Sequence, residues 1–126
     1  MKITEISIQN FRLLKGVSLS LEAETTVIVG RNNSGKTSLA EFIRRLLTDK
    51  PIFRIEDFSL PVHEDFWNAF TIKSNGGTDK EIRDALPAIK GTLTLNYAGD
   101  TTFGPLSDFI IDLKSDCSTA IAAISY

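Results

Sequence analysis

Gly30-Arg31-Asn32-Asn33-Ser34-Gly35-Lys36-Thr37 has the spacing G-x-x-x-x-G-K-T, that of a phosphate-binding (Walker A) loop. Each residue type serves that chemistry. Gly30 and Gly35 permit backbone angles that a side chain would forbid, so successive N–H groups can turn inward on an anion. Lys36 brings a point charge toward the β- and γ-phosphates, and the Thr37 hydroxyl is suited to ligating Mg²⁺. Arg31 and Asn33 are loop positions where the backbone matters more than the side chain, and Ser38 directly follows the motif. The bland alternative is a glycine-rich turn that binds nothing.

A working loop of this kind follows a buried strand and opens a helix. Thr25-Thr26-Val27-Ile28-Val29 is a β-branched run without polar alternation, which predicts a strand covered on both faces. Leu39, Phe42, Ile43, Leu46 and Leu47 recur at i, i+3, i+4, i+7 and i+8, one apolar helical face. The N-terminus of that helix would direct its partial positive charge at the bound phosphate.

The chain has 126 residues and 13.9 kDa, the size of one domain or part of one. Its 42% hydrophobic and 24% charged residues are ordinary for a globular protein. No apolar run is long enough to span a bilayer, and Thr4, Glu5, Ser7 and Gln9 interrupt any signal-peptide core; a cytoplasmic location is expected. The net charge of −2 carries no bulk electrostatic footprint for nucleic acid, although a local patch could suffice for DNA. Cys117 and His63 are each the sole residue of their type, so an internal disulfide is impossible and neither is expected to be catalytic.

Further elements follow from pattern. Ile6 and Ile8 alternate with Ser7 and Gln9, predicting a strand from about Lys2 to Phe11. Val17, Leu19 and Leu21 alternate with Ser18, Ser20 and Glu22, predicting a second after a turn at Leu14-Lys15-Gly16. Pro51 and Pro61 mark breaks. His63 to Phe70 reads as a short helix with Phe66, Trp67 and Phe70 sharing a face, which at that spacing is more often core than a ligand box. Ser74 to Gly77 reads as a loop, and Thr78-Asp79-Lys80-Glu81 matches a capping box opening a helix that should end near Leu86, before Pro87. Gly91 to Tyr97 and Thr119 to Tyr126 read as strands.

Hydrolysis asks for more than a phosphate cradle: an Asp at a strand end for the Mg²⁺ shell, and a group that activates water. Phe109-Ile110-Ile111-Asp112 is the candidate acidic strand end, short, preceded by Asp108 and followed by Lys114. Its alternative is a solvated Asp on a small strand or turn. Glu56-Asp57 lacks the preceding apolar run. There is no N-K-x-D sequence for guanine recognition, and the later part of the chain contains only Arg83, where a kinase lid would need several arginines.

Ile8-Gln9-Asn10-Phe11-Arg12, then two strands, then GRNNSGKT resembles the N-terminal piece of an ABC-type ATPase head of the OLD (overcoming lysogenization defect), RecF and SMC group. Asn32-Asn33 is most similar to OLD-type and related AAA ATPases, where SMC-type loops more often carry Asn-Gly. Gly104 to Leu113 also resembles the OLD type. The resemblance implies Arg12 near the nucleotide base or ribose, against the alternative of a surface arginine at a strand end. It also implies Asn32 near the γ-phosphate. The family's later motifs are missing: the glutamine loop, for which Gln9 comes too early, the LSGG-type signature, the Walker B Asp-Glu and the switch histidine.

The expectation is therefore an α/β P-loop NTPase with a mixed sheet and one long helix behind it. Residues 1–48 would supply strands, phosphate loop and first helix, and 49–126 the remainder of the lobe. The expected ligands are ATP and Mg²⁺, with Thr37 and Asp112 as metal candidates and Gly30 to Ser38 plus Arg12 as the nucleotide set. As the resemblance implies, the chain would be the N-terminal fragment of an ATPase, homodimeric when complete, acting in DNA metabolism or phage defence. A parent that is an ATP-controlled nuclease is a further option. The competing reading is a self-contained nucleotide-binding module that does not hydrolyse ATP.

Overall fold

The alternation of Ile6 and Ile8 with Ser7 and Gln9 builds the strand it predicts. β1 runs Lys2–Phe11 and β2 Leu14–Ser20, with Ile8 opposite Val17 in antiparallel register. The computed structural model describes residues 2–46, 48, 51–98 and 118–126. α1 follows at Lys36–Leu46, α2 at His63–Ser74 and α3 at Asp79–Ala85, then β3 at Lys90–Asn96 and β4 at Thr119–Ser125. Two single 3₁₀ turns, Ile55–Asp57 and Leu60–Val62, lie between α1 and α2, the second holding Pro61. The strands form one sheet in the order β2-β1-β3-β4.

One face of this sheet carries the core. Ile6, Ile8, Phe11 and Leu14 from the first hairpin meet Leu39 and Phe42 of α1, with Phe53, Phe58 and Ile89 closing the sides. The Phe42 ring sits 5.2 Å from that of Phe11 and lies against Gly91 of β3. Phe11, Phe42 and Ile8 are essentially solvent-free, and each contributes roughly 1.5–3 kcal/mol by burial. Ser7, Gln9, Lys90 and Thr92 line a groove together, as the opposite parity along β1 and β3 requires.

Three expectations are corrected. All three strand pairings are antiparallel, so the sheet of the described residues is not mixed. The run Thr25–Val29 is not a strand, and Val27, Ile28 and Val29 are 76, 43 and 85% exposed. β propensity becomes a strand only when a neighbour takes up the backbone hydrogen bonds, and no described strand pairs with this run. The first turn falls at Arg12-Leu13 rather than Leu14–Gly16, because Arg12 adopts a left-handed conformation (φ 50) and Leu14 is drawn into the core.

α2 is longer than expected, and its aromatic residues do not share a buried face. Phe66 packs edge-on against Phe58 at 4.9 Å, but Trp67 and Phe70 are mostly exposed and lie against each other at 5.6 Å. The inward position is Ala69, 2% exposed. The capping box forms as expected: the Thr78 N–H donates to Glu81 Oε2 and the Glu81 N–H to Thr78 Oγ1. α3 stops at Ala85 with Leu86 extended before Pro87. Leu47, Cys117 and the stretch from Gly104 to Leu113, with Asp108 and Asp112, lie outside the described residues.

Candidate nucleotide site

The loop from Gly30 to Gly35 has no regular structure, turns at Asn32-Asn33 and enters α1 at Lys36. Asn33 (φ 62) and Gly35 (φ 93) are both left-handed, a region that asparagine tolerates and glycine occupies freely. Gly35 is buried, and a Cβ there would come within 3.0 Å of Leu14 Cδ2. The first helical hydrogen bond runs from the Leu39 N–H to the Gly35 carbonyl, 2.8 Å. The N–H groups of Gly35, Lys36, Thr37 and Ser38 therefore have no acceptor among the described residues. Unspent donors at a helix start, reinforced by the helix dipole, are suited to an anion.

Lys36 completes the cradle. Its ammonium donates to the carbonyl of Gly30, to that of Arg31 at 2.7 Å and to Ser34 Oγ at 3.2 Å. An arriving phosphate would meet a charge already held in position, so less side-chain entropy is lost on binding. Gly30 is required by the same packing: a Cβ there would lie 2.7 Å from Ser34 Oγ and 3.6 Å from Lys36 Nζ. Leu13 and residues Asn32 to Ser38 line a cavity of about 630 Å³, within the range of small-ligand pockets. Thr37 is exposed there, and its hydroxyl makes no hydrogen bond to a described residue. These groups fit a phosphate. For Mg²⁺ the described residues offer the Thr37 hydroxyl but no cluster of three or more His, Cys, Asp or Glu side chains.

Arg12 lies elsewhere. It lines a second cavity of about 520 Å³ with Arg44, Arg45 and Arg54, while its neighbour Leu13 lines the loop cavity. The Arg12 guanidinium donates to Asp57 Oδ1 through Nε at 2.9 Å and Nη2 at 2.8 Å. Arg45 donates to Asp57 Oδ2 at 2.5 Å and through Nε to Glu41 at 2.8 Å. Asp57 is only 3% exposed. Burial pushes its pKa up, but the hydrogen bonds from Arg45, the Arg54 backbone N–H and Arg12 outweigh that and hold it below the ordinary carboxylate value. Glu41, bonded by Arg44 and Arg45, is lowered to about 2.

Asp57 is thus committed to two arginines. Sequence reading weighed Glu56-Asp57 only as a weaker acidic strand end and missed its arginine partners, which are distant along the chain. His63 Nε2 lies 3.1 Å from the Phe58 carbonyl oxygen, a structural contact. No helix among the described residues is long and apolar enough to cross a membrane.

Over 52 residues, 41% of its length, this chain is 42% identical to the DNA replication and repair protein RecF of Anaeromyxobacter sp. (strain K). RecF of Anaeromyxobacter dehalogenans (strain 2CP-1 / ATCC BAA-258) and of Anaeromyxobacter sp. (strain Fw109-5) match to the same extent. The match spans only 14% of the length of each of these relatives. Residues 1–121 match the AAA ATPase domain family. With a G-x-x-x-x-G-K-T loop opening α1 and a match along nearly its whole length, the chain belongs to the AAA ATPase domain family.

Proposed function

We propose that this chain binds Mg-ATP through residues Gly30 to Ser38, as the N-terminal part of a RecF/SMC/OLD-like ATPase that works on DNA in the cytoplasm. The observation that carries the nucleotide reading is the row of unspent N–H groups from Gly35 to Ser38 beside the fixed Lys36 ammonium. Asn32 would face the γ-phosphate, and Thr37 would ligate Mg²⁺, with Asp112 as the candidate second ligand. Arg12 would serve the base or ribose end, for which its guanidinium must leave Asp57. The role in DNA metabolism rests on the RecF relatives; phage defence, or control of a nuclease, is the corresponding setting in the OLD branch.

Binding and hydrolysis separate in this proposal. The chain itself would supply the phosphate cradle. A second subunit's signature segment and an acidic strand end would supply the rest, so the chain alone should turn over ATP negligibly. Calorimetry with Mg-ATP, alongside a phosphate-release assay, tests this. Saturable binding lost in Lys36→Ala, without turnover, is the expected result. Ordinary turnover abolished by Lys36→Ala would overturn the division of labour, and equal binding by wild type and Lys36→Ala would overturn the nucleotide site. Tight binding by a stable monomer would instead favour a self-contained, non-hydrolysing module.

A further inference from the structure

The second cavity concentrates positive charge in a chain whose net charge is −2. Arg12, Arg44, Arg45 and Arg54 line it, against the two carboxylates of Glu56 and Asp57. Arg44 and Arg45 form the last turn of α1, where helix carbonyls alone would repel an anion. The guanidiniums reverse that sign.

Their donors are only partly used. Arg44 spends Nε and Nη2 on Glu41. Arg45 spends Nε on Glu41, and Nη1 on the Ile52 carbonyl and Asp57. Nη1 of Arg44, Nη2 of Arg45 and the whole Arg54 guanidinium have no partner among the described residues. The carboxylates also stiffen the array: Arg45 is 15% exposed and clamped from two sides, whereas Arg44 stands at the rim, 67% exposed. Fixed guanidinium forks match phosphate oxygens in geometry as well as charge.

The rings beneath cannot accept a base. Phe11 and Phe53 are 0 and 7% exposed and are covered by the Arg45 guanidinium, 5.7 and 5.3 Å above them. We propose that Arg44, Arg45 and Arg54 bind the phosphodiester backbone of a nucleic acid strand, without reading its sequence. The choice of nucleic acid as the source of phosphate rests on the DNA-linked reading above; the guanidinium array does not. Its lining shares no residue with that of the loop cavity, and Arg12, the lining residue assigned above to the nucleotide, is not one of the three proposed contacts.

The test is fluorescence anisotropy of a short labelled DNA duplex titrated with the full chain across a range of salt concentrations. Binding should be insensitive to duplex sequence and fall linearly in log K against log salt. Arg44→Glu/Arg54→Glu, at two exposed positions, should weaken it by about tenfold or more and reduce the salt slope by about two, roughly one per lost phosphate contact. Arg44→Lys/Arg54→Lys should retain most of the affinity, and Lys36→Ala should bind duplex as wild type does while losing ATP. A wild-type chain that ignores duplex at low salt would overturn the proposal, as would a double Glu variant that binds normally. If Lys36→Ala takes up ATP or inorganic phosphate in competition with duplex, and Arg44→Glu/Arg54→Glu abolishes that uptake, the occupant is a free phosphate and the nucleic-acid assignment falls. Loss of the ATP reading alone, with arginine-dependent duplex binding intact, would leave this proposal standing.

Discussion

Arg12 is bound to Asp57 by both backbone and side chain. Its N–H donates to the Asp57 carbonyl at 2.8 Å, and its Nε and Nη2 reach Oδ1 at 2.9 and 2.8 Å. Ser59 reinforces the junction, donating its hydroxyl to the Arg12 carbonyl at 2.7 Å. A left-handed arginine costs roughly 1–2 kcal/mol, and such a conformation persists where surrounding contacts over-determine it. The junction fixes the Arg12-Leu13 turn, and with it Leu13 at the loop cavity and Leu14 beneath Gly35.

Asp57→Ala should therefore destabilise the fold, because it leaves Arg12 and Arg45 without their shared carboxylate. Both arginines keep some solvent contact, at 36 and 15% exposure, which tempers the loss to about 2–3 kcal/mol. A lowered urea midpoint with unchanged slope is the measurement.

Stability should also depend on pH in the acid range. The folded-state pKa of Glu41 falls from 4.5 to about 2, and that of Asp57 lies below 3.8. A depressed carboxylate pKa gives stability that is present above the unfolded value and lost as pH falls through the folded one. Urea midpoints should hold steady above about pH 5 and decline toward pH 2, the window set by those two groups. Asp57→Asn should flatten part of that decline.

Gly35→Ala should strain the loop twice over, through a positive φ of 93° and a Cβ at 3.0 Å from Leu14. A loss of about 1–2 kcal/mol is expected by thermal unfolding, together with weakened Mg-ATP binding by calorimetry. Gly16→Ala is the control: a Cβ there meets nothing within 4 Å, and stability should stay within about 0.5 kcal/mol.

Gly91→Ala should cost about 1–3 kcal/mol by overpacking. The added Cβ would lie 2.5 Å from Phe42 Cζ, on a ring only 1% exposed. Adding Phe42→Leu in the same chain should recover part of the loss, since a smaller side chain makes room. Chemical denaturation of the two single variants and the double gives the coupling directly.

The candidate site and the fold were legible to different depths. The loop and the start of α1 could be read from residue types alone, since glycine angles, the lysine charge and a helix N-terminus are local properties. The strands of the first hairpin and β3 showed in two-residue alternation, β4 in an apolar run, and α3 in its cap. The arginine cavity did not show, because Arg12, Arg45, Arg54 and Asp57 become neighbours only through the core of Phe11, Phe42 and Phe53.

By itself, the sequence determined what depends on residues within about one helical turn: the phosphate-loop motif, the apolar stripe of α1, the alternating strands and the Thr78–Glu81 cap. Tertiary structure decided what depends on which surfaces meet. It left Val27 to Val29 exposed because no described strand pairs with them, turned Trp67 and Phe70 outward, and joined Arg12 to Asp57 across 45 residues. Burial and ion pairing are set by the neighbour across the core, and that neighbour is not written in the local pattern.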